Sequence, residues 1–431
     1  MPALKLVTKE HGSCCRFCGD ALKYSMVDLG MSPLCQKHVT PSTKNDMERF
    51  YPLHAYVCES CWLVQLESFT SPDDIFSEEY GYFSSYSESW LRHCRRYTDQ
   101  MIQRFDIQAS DLVAEIASND GYLLQWFVEK GIPVLGIEPT ANTARAAIEK
   151  GVRTEMLFFG VQTAQQMVER YGKAKLLAGN NVLAHVPDLN DFVAGIKILL
   201  QEDGILTMEF PHLQQLVANN QFDTIYHEHF SYFSFGTARR IFAHHGITLF
   251  DVEELPTHGG SIRIYGRHSE NEALAVTSNV QTLLQREQDL GMERLDYYAD
   301  FQKKVKRTKR QLLQFLIQAK EEGKTVVGYG APGKGNTLLN YCGIRTDFLD
   351  YTVDRSPHKQ GNFLPGTHIP VYSPEKIRET KPDYVLILPW NLKEEISRQM
   401  AHIAEWGGKF VVPIPELRIL ESGEQQTAAN A

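Results

Sequence analysis

Apolar residues fall along this chain in short runs, each closed by small or polar residues and followed by a stretch with helical spacing. Leu112–Ala117 leads through Ser118-Asn119-Asp120-Gly121 to Leu123, Leu124, Trp126 and Phe127. Ile132–Ile137, Ala174–Ala178 and Gly204–Phe210 repeat the pattern. Runs this short, bounded by turn signals, read as buried strands, and their alternation with helices predicts βαβ units in a largely parallel sheet. Ile262-Arg263-Ile264-Tyr265 alternates as a half-buried strand would. Residues 280–320 keep helical spacing with few turn signals, which predicts a long helix or a helix pair joining two domains. Beyond them, Thr325–Gly330, Tyr351–Asp354 and Tyr384–Pro389 predict a second unit of the same kind around a glycine-rich turn, 331–336. The fold class is therefore α/β. We divide the chain at 1–75, 76–279, a 280–320 connector and 321–420, with a polar tail, 421–431, that reads as disordered.

Composition narrows the classes. A length of 431 residues allows two or three domains with substantial cores, and 43% hydrophobic with 23% charged residues is ordinary for a globular protein. No apolar run approaches the length of a membrane span, and the N-terminus lacks the apolar core of a signal peptide. The expectation is a cytoplasmic protein with no membrane partner, a monomer or weak homodimer. The net charge is −9 with no basic stripe, which argues against nucleic acid.

Cysteine usage changes the picture for the first segment. Six of the eight cysteines fall within the first 61 residues, and two CxxC pairs, Cys15/Cys18 and Cys58/Cys61, stand 39 residues apart. Two knuckles of two thiolates complete a tetrahedral zinc site, and four protein ligands make that zinc structural. Cys14, Cys35, His38 and His54 are the substitutes nearby. Metal would supply stability that so small a core lacks.

The first strand–turn–helix of the middle segment has the form of a nucleotide-cofactor cradle, without the GxGxxG of dinucleotide sites. Glu115 would face a phosphate badly, whereas Glu138, at the end of the next strand, suits a ribose diol. The combination fits S-adenosylmethionine, which carries a sulfonium and no phosphate. Candidate residues for its site are Glu115, Ala117, Ser118, Asn119, Asp120, Gly121, Glu138, Pro139, Asn180 and Asn181.

The densest chemistry lies in Tyr226-His227-Glu228-His229-Phe230-Ser231-Tyr232-Phe233, just beyond the Gly204–Phe210 run. A helical turn there would put Tyr226 and His229 on one face; an extended chain would pair Tyr226 with Glu228, and His227 with His229. Either arrangement leaves an imidazole beside a phenol or carboxylate, as proton abstraction requires. The spacing HEHFS excludes the HExxH of zinc proteases.

These pieces occur in one order: the CxxC pairs, YFSSYS at 82–87, EIASNDG at 115–121, NNVLAHVPD at 180–188, YHEHFSYFS at 226–234, HGGSIRIY at 258–265 and GYGAPGKGN at 328–336. In them the chain resembles the bacterial nucleotide-sugar C-methyltransferases, from about Cys15 to about Glu416. The resemblance implies a zinc-binding N-terminal domain, a central class I (Rossmann-like) methyltransferase domain and a C-terminal Rossmann-like domain. It also implies methyl transfer from S-adenosylmethionine to a ring carbon, C3, alpha to the ketone of a nucleotide-linked 4-keto-deoxysugar. His229 would be the base, with Tyr226, Glu228, His185 and either Tyr80 or Tyr82 around it. His227, His258, Gly259, Gly330, Lys334, Asn336, Asp354, Lys359 and His368 are the candidates to hold the nucleotide sugar. Ala117 departs from the glycine common in relatives. The alternatives are an O- or N-methyltransferase, or a non-catalytic nucleotide-sugar binding protein.

Overall fold

The computed structural model of the chain describes residues 13–69 and 81–420. Tyr80, the 75/76 domain boundary and the polar tail lie outside the described residues.

The N-terminal unit is an antiparallel sheet of β1 (Tyr24–Ser32), β2 (Tyr51–Val57) and β3 (Val64–Leu66). The central unit carries β4 (Val113–Ile116), β5 (Val134–Ile137), β6 (Thr154–Glu155), β7 (Ala174–Asn180) and β8 (Leu200–Pro211), with β10 (Ile247–Leu255) and β11 (Ser261–His268). Between β8 and β10 comes β9 (Ser231–Tyr232), which leaves the central sheet and pairs with β3 on the edge of the first. The third unit holds β12 (Val326–Tyr329), β13 (Thr352–Val353), β14 (Val371–Tyr372), β15 (Tyr384–Ile387), β16 (Lys409–Val412) and β17 (Arg418–Leu420).

The central sheet runs β6-β5-β4-β7-β8-β11-β10, parallel except for β11, which is antiparallel to both neighbours. Its strand order reverses between β4 and β7, and ligands of open α/β sheets bind at such a switch point, beyond the strands' C-terminal ends. The third sheet, β14-β13-β12-β15-β16-β17, has the same doubly wound plan with only β17 antiparallel. Helices cover both faces of a parallel sheet, so β4, β5 and β12 are buried at every position.

One expectation needs correction. The alternation in 262–265 predicts one wet face, yet all eight residues of β11 are buried. Arg263 is accommodated because its Nη2 lies 2.7 Å from the equally buried Glu209 Oε2. The 280–320 connector is a helix pair, Ser278–Asp289 and Phe301–Glu321; the first packs on β10, the second against β1 and the helix after β12. No described helix is long and apolar enough to cross a membrane.

Four thiols of the first unit converge. The Sγ atoms of Cys15, Cys18, Cys58 and Cys61 all lie within 4.8 Å of one another, with Cys15–Cys61 and Cys18–Cys58 both at 3.5 Å. Tetrahedral zinc at about 2.3 Å from each sulfur requires edges of about 3.8 Å, so the cluster fits the ion. The substitutes are used otherwise: His54 Nε2 is 2.6 Å from Ser25 Oγ, and the Cys35 thiol faces Glu228 Oε1 at 3.4 Å.

Fresh protein is expected to carry one zinc per chain, and serine at any of the four cysteines should destabilise the fold. Elemental analysis returning no zinc would overturn the assignment.

Candidate active site

A cavity of about 490 Å³ opens at the β4/β7 switch point and extends to the third domain. Ala117, Asn119, Glu138, Pro139, Asn180 and Asn181 line one end; Tyr82, His185, Tyr226, Glu228, His229 and His258 line the middle; Lys334 and Lys359 lie on the side of the third domain.

The turn after β4 is shaped by backbone conformation. Ala117 and Asn119 have φ of 57° and 49°, in the left-handed region. A β-carbon there costs about 1–2 kcal/mol, so both positions hold local strain. Gly121, at φ 75°, leaves no room for a side chain: a Cβ would come within 3.0 Å of Val152 Cγ2. Glu138 supports the turn from below. Its Oε2 accepts from the Asn119 amide at 2.9 Å, and its Oε1 accepts from the Thr140 amide at 2.9 Å and from the Thr140 hydroxyl.

Glu115, Ser118, Asp120 and Gly121 do not reach the cavity wall. Glu115 is fully buried, and burial raises its carboxyl well above the usual range. Asp120 is held by the Ser85 amide and Lys150 Nζ, at 3.3 and 3.2 Å. Around the turn the lining continues with Ile116, Ile137, Leu157 and Phe159, and neither Lys nor Arg appears at this end among the described residues. Apolar walls, strained backbone and a carboxylate suit an adenosyl group and would repel a phosphate.

Tyr226–His229 forms a turn closed by the His229 amide donating to the Tyr226 carbonyl at 2.8 Å. The turn geometry brings the two rings together, centroids 3.9 Å apart and planes tilted by 33°, and His185 meets His229 edge-on at 4.7 Å. His229 Nδ1 lies 2.8 Å from the Thr224 carbonyl. A carbonyl only accepts, so Nδ1 carries the proton and Nε2 presents a lone pair. Burial, then the neighbouring His185, pushes the His229 pKa well below its ordinary value. Burial likewise brings His185 and His258 down to about 4. Burial has the opposite effect on the Tyr226 hydroxyl, which it raises well above 10, so this group stays a neutral donor.

His227 points elsewhere: its Nε2 lies 3.2 Å from the Pro52 carbonyl and its ring packs on Tyr51, so it leaves the substrate-binding set. His368 also leaves it, 2.6 Å from Glu48 Oε2 across the interface between the first and third domains. Gly330, Asn336 and Asp354 sit behind the wall; Asp354 accepts from the Ala331 and Ser356 amides and so holds the glycine-rich turn. Gly259 lets Trp390 close, since a Cβ there would fall 2.5 Å from its ring.

Several contributors carry no motif. Thr224 orients the His229 ring. Glu209, buried beneath His258, accepts from Arg263, His93 and Thr257 at 2.7, 2.9 and 2.7 Å. Against the cost of burial, those partners lower its carboxyl to about 2. A second cleft, of about 1060 Å³, shares Tyr82, Trp90, His258, Pro332 and Lys334 with the first and is lined further out by Arg92, Arg96 and Arg398. Lys334 Nζ, 2.8 Å from Asn391 Oδ1 and 4.7 Å from the Trp390 ring centre, stands where the two meet.

Three family models match the chain: "Putative zinc binding domain" over residues 15–76, "Methyltransferase domain" over 90–252 and "C-methyltransferase C-terminal domain" over 256–415. The C-methyltransferase NovU of Streptomyces niveus is 36% identical over 408 residues, covering 95% of this chain and 97% of its own. Magnesium protoporphyrin IX methyltransferase ChlM of Synechocystis PCC 6803, solved with bound SAH, is 13% identical with a TM-score of 0.33, over 42% of this chain and 83% of its own. The CcbJ methyltransferase of Streptomyces caelestis is 11% identical with a TM-score of 0.33, over 42% and 89%. Structural likeness of that degree carries no inference.

Because Glu138 already holds three protein donors, Glu138→Ala is expected to cost about 1.5–3 kcal/mol of stability in ligand-free protein, the range for hydrogen bonds to a charged group. Glu138→Gln, which keeps one acceptor oxygen, should lose less. Chemical denaturation curves that coincide for wild type and the alanine variant would refute this role.

Proposed function

The chain belongs to the C-methyltransferase family that includes NovU, and on that premise we propose that it methylates C3 of a nucleotide-linked 4-keto-deoxysugar. The observation carrying this reading is His229, a neutral imidazole whose tautomer is fixed by Thr224, in a cavity continuous with a cleft whose lining mixes Arg92, Arg96 and Arg398 with Glu253, Glu254, Glu394 and Glu395. The cavity accommodates the sugar, and the cleft offers Arg92, Arg96, Arg398 and Lys334 to a diphosphate. S-adenosylmethionine, held by the 116–119 turn that Glu138 braces, supplies a methyl group on a sulfonium, the electrophile a carbon nucleophile needs.

His229 Nε2 takes the proton from the carbon beside the ketone, and the C–H electron pair moves toward the ketone oxygen as the enolate forms. The Tyr226 hydroxyl, kept neutral by burial, donates to that oxygen, and His185 stands beside His229 to assist. Positioned bases contribute about 10²–10⁴ in rate, and each donor to a developing oxyanion about 10²–10³. Neutrality comes at a cost, because a depressed pKa makes His229 a weaker base than a solvated imidazole. Close approach within a dry cavity offsets that weakness.

His229→Ala is therefore expected to lose at least about 10² in methyl transfer and to lose exchange of the sugar C3 hydrogen with deuterated water, while still binding both ligands. His227→Ala should retain the exchange. An O- or N-methyltransferase, or a binding protein, would exchange no carbon-bound hydrogen even as wild type.

The pH profile carries a second expectation. A base whose pKa is lowered stays unprotonated through neutrality, so kcat/KM should be flat from pH 8 to below 6.5 and fall only at lower pH, through the depressed value. An acid limb centred at or above 6.5 would mean that a different group is being titrated.

A further inference from the structure

Gln36 belongs to the zinc-binding domain, yet it lines the catalytic cavity. Its loop is held from two directions. Val39 and Phe363 of the third domain exchange two backbone hydrogen bonds, at 3.0 and 2.8 Å, and the preceding Cys35 thiol donates to Glu228 at 3.4 Å. Gly333, at the start of the helix after β12, makes the approach possible. A Cβ there would lie 2.8 Å from Cys35 Sγ, 3.3 Å from Gln36 Nε2 and 3.6 Å from Tyr226 Cζ. The amide of Gln36 and the ring of Tyr226 therefore meet around one backbone position.

The Gln36 amide oxygen is buried and has no hydrogen-bond partner among the described residues. A buried amide acceptor without a donor is destabilising unless a ligand or water completes it. Glu228 and Lys359 line the same cavity, and Lys359 Nζ is fixed by the Ala331 carbonyl at 2.9 Å. An amide, a carboxylate and an ammonium are the groups that read hydroxyls on a sugar ring.

We propose that Gln36 is a specificity-determining residue that hydrogen-bonds a hydroxyl of the substrate's sugar ring, so that the zinc-binding domain forms one wall of the sugar site. The proposal rests on the nucleotide-sugar reading above. It gives the first domain a part in recognition as well as in stability.

The test uses full-length, zinc-loaded protein with Gln36→Ala and with Gln36→Met, which keeps the shape and removes the amide. Probes are uridine and thymidine diphosphates and their 4-keto-6-deoxyhexose esters. KM for the sugar ester should rise about 3- to 10-fold in both variants, the loss of one neutral hydrogen bond. The kcat, zinc content and affinity for the sugar-free diphosphate should stay at wild-type values. An ester lacking the contacted hydroxyl should bind wild type and variants equally. Wild-type KM in both variants would overturn the proposal, as would a parallel loss of zinc and of diphosphate affinity, which marks a structural residue. If wild type binds neither these esters nor their cytidine, adenosine and guanosine counterparts, the nucleotide-sugar reading falls and this proposal with it. If wild type binds an ester and the variants match it, Gln36 alone is wrong.

Discussion

The pairing of β9 with β3 is the constraint on which the site depends. Val64 faces Tyr232 and Gln65 faces Ser231, and the Leu66 amide donates to the Phe230 carbonyl at 2.9 Å. This ladder fixes the chain immediately after His229, while Thr224 fixes the ring from before it. A strand of two residues cannot hold itself, so its stability is borrowed from the sheet it joins. That sheet is in turn small, and four thiolates around a metal are what lets so small a unit keep its shape. Arg16, within the first CxxC knuckle, extends the link. Its guanidinium donates to the carbonyls of Leu66 and Pro187 at 2.5 and 3.2 Å and lies 5.2 Å over the Phe230 ring. The metal knuckle thereby touches the two segments that bring His185 and His229 to the cavity.

Electrostatics sets the imidazoles and phenols of the middle apart from a charged outer part. Around His229 the dominant effect is loss of water, which disfavours every charged form and leaves imidazoles unprotonated and phenols protonated. The buried carboxylate of Glu209 stays ionised in the same region only because Arg263, His93 and Thr257 saturate it. Removing one of those partners would leave an uncompensated charge beneath the 257–260 turn that carries His258. Further out, Arg92, Arg96 and Arg398 line an open cleft, where water and the Glu253, Glu254, Glu394 and Glu395 carboxylates of the same lining balance them.

Much of this plan was legible in the chain because it rests on local rules. Apolar runs of strand length, turns of small residues and helical spacing follow from backbone sterics and burial, so α/β order, the turn after Leu112–Ala117 and the helical character of 280–320 could be read directly. The two CxxC pairs were legible for the same reason, since each knuckle is local and only their meeting is tertiary. The dense YHEH segment marked itself by composition. Where local reading failed, a distant partner had intervened: Arg263 breaks the alternation of β11 because Glu209, on the neighbouring strand, buries it.

Local spacing and composition thus specify the α/β order, the thiol set and the YHEH segment. Tertiary structure alone decided which of two histidines, 227 or 229, faces the cavity, because the choice depends on Pro52 and Thr224, residues that no spacing rule connects. It also decided that Glu138 is committed to the turn, that His368 belongs to a domain interface, and that Gln36 reaches the site from another domain. Side-chain direction and proton affinity are set by whatever packs against a group, and those neighbours are brought together only by folding.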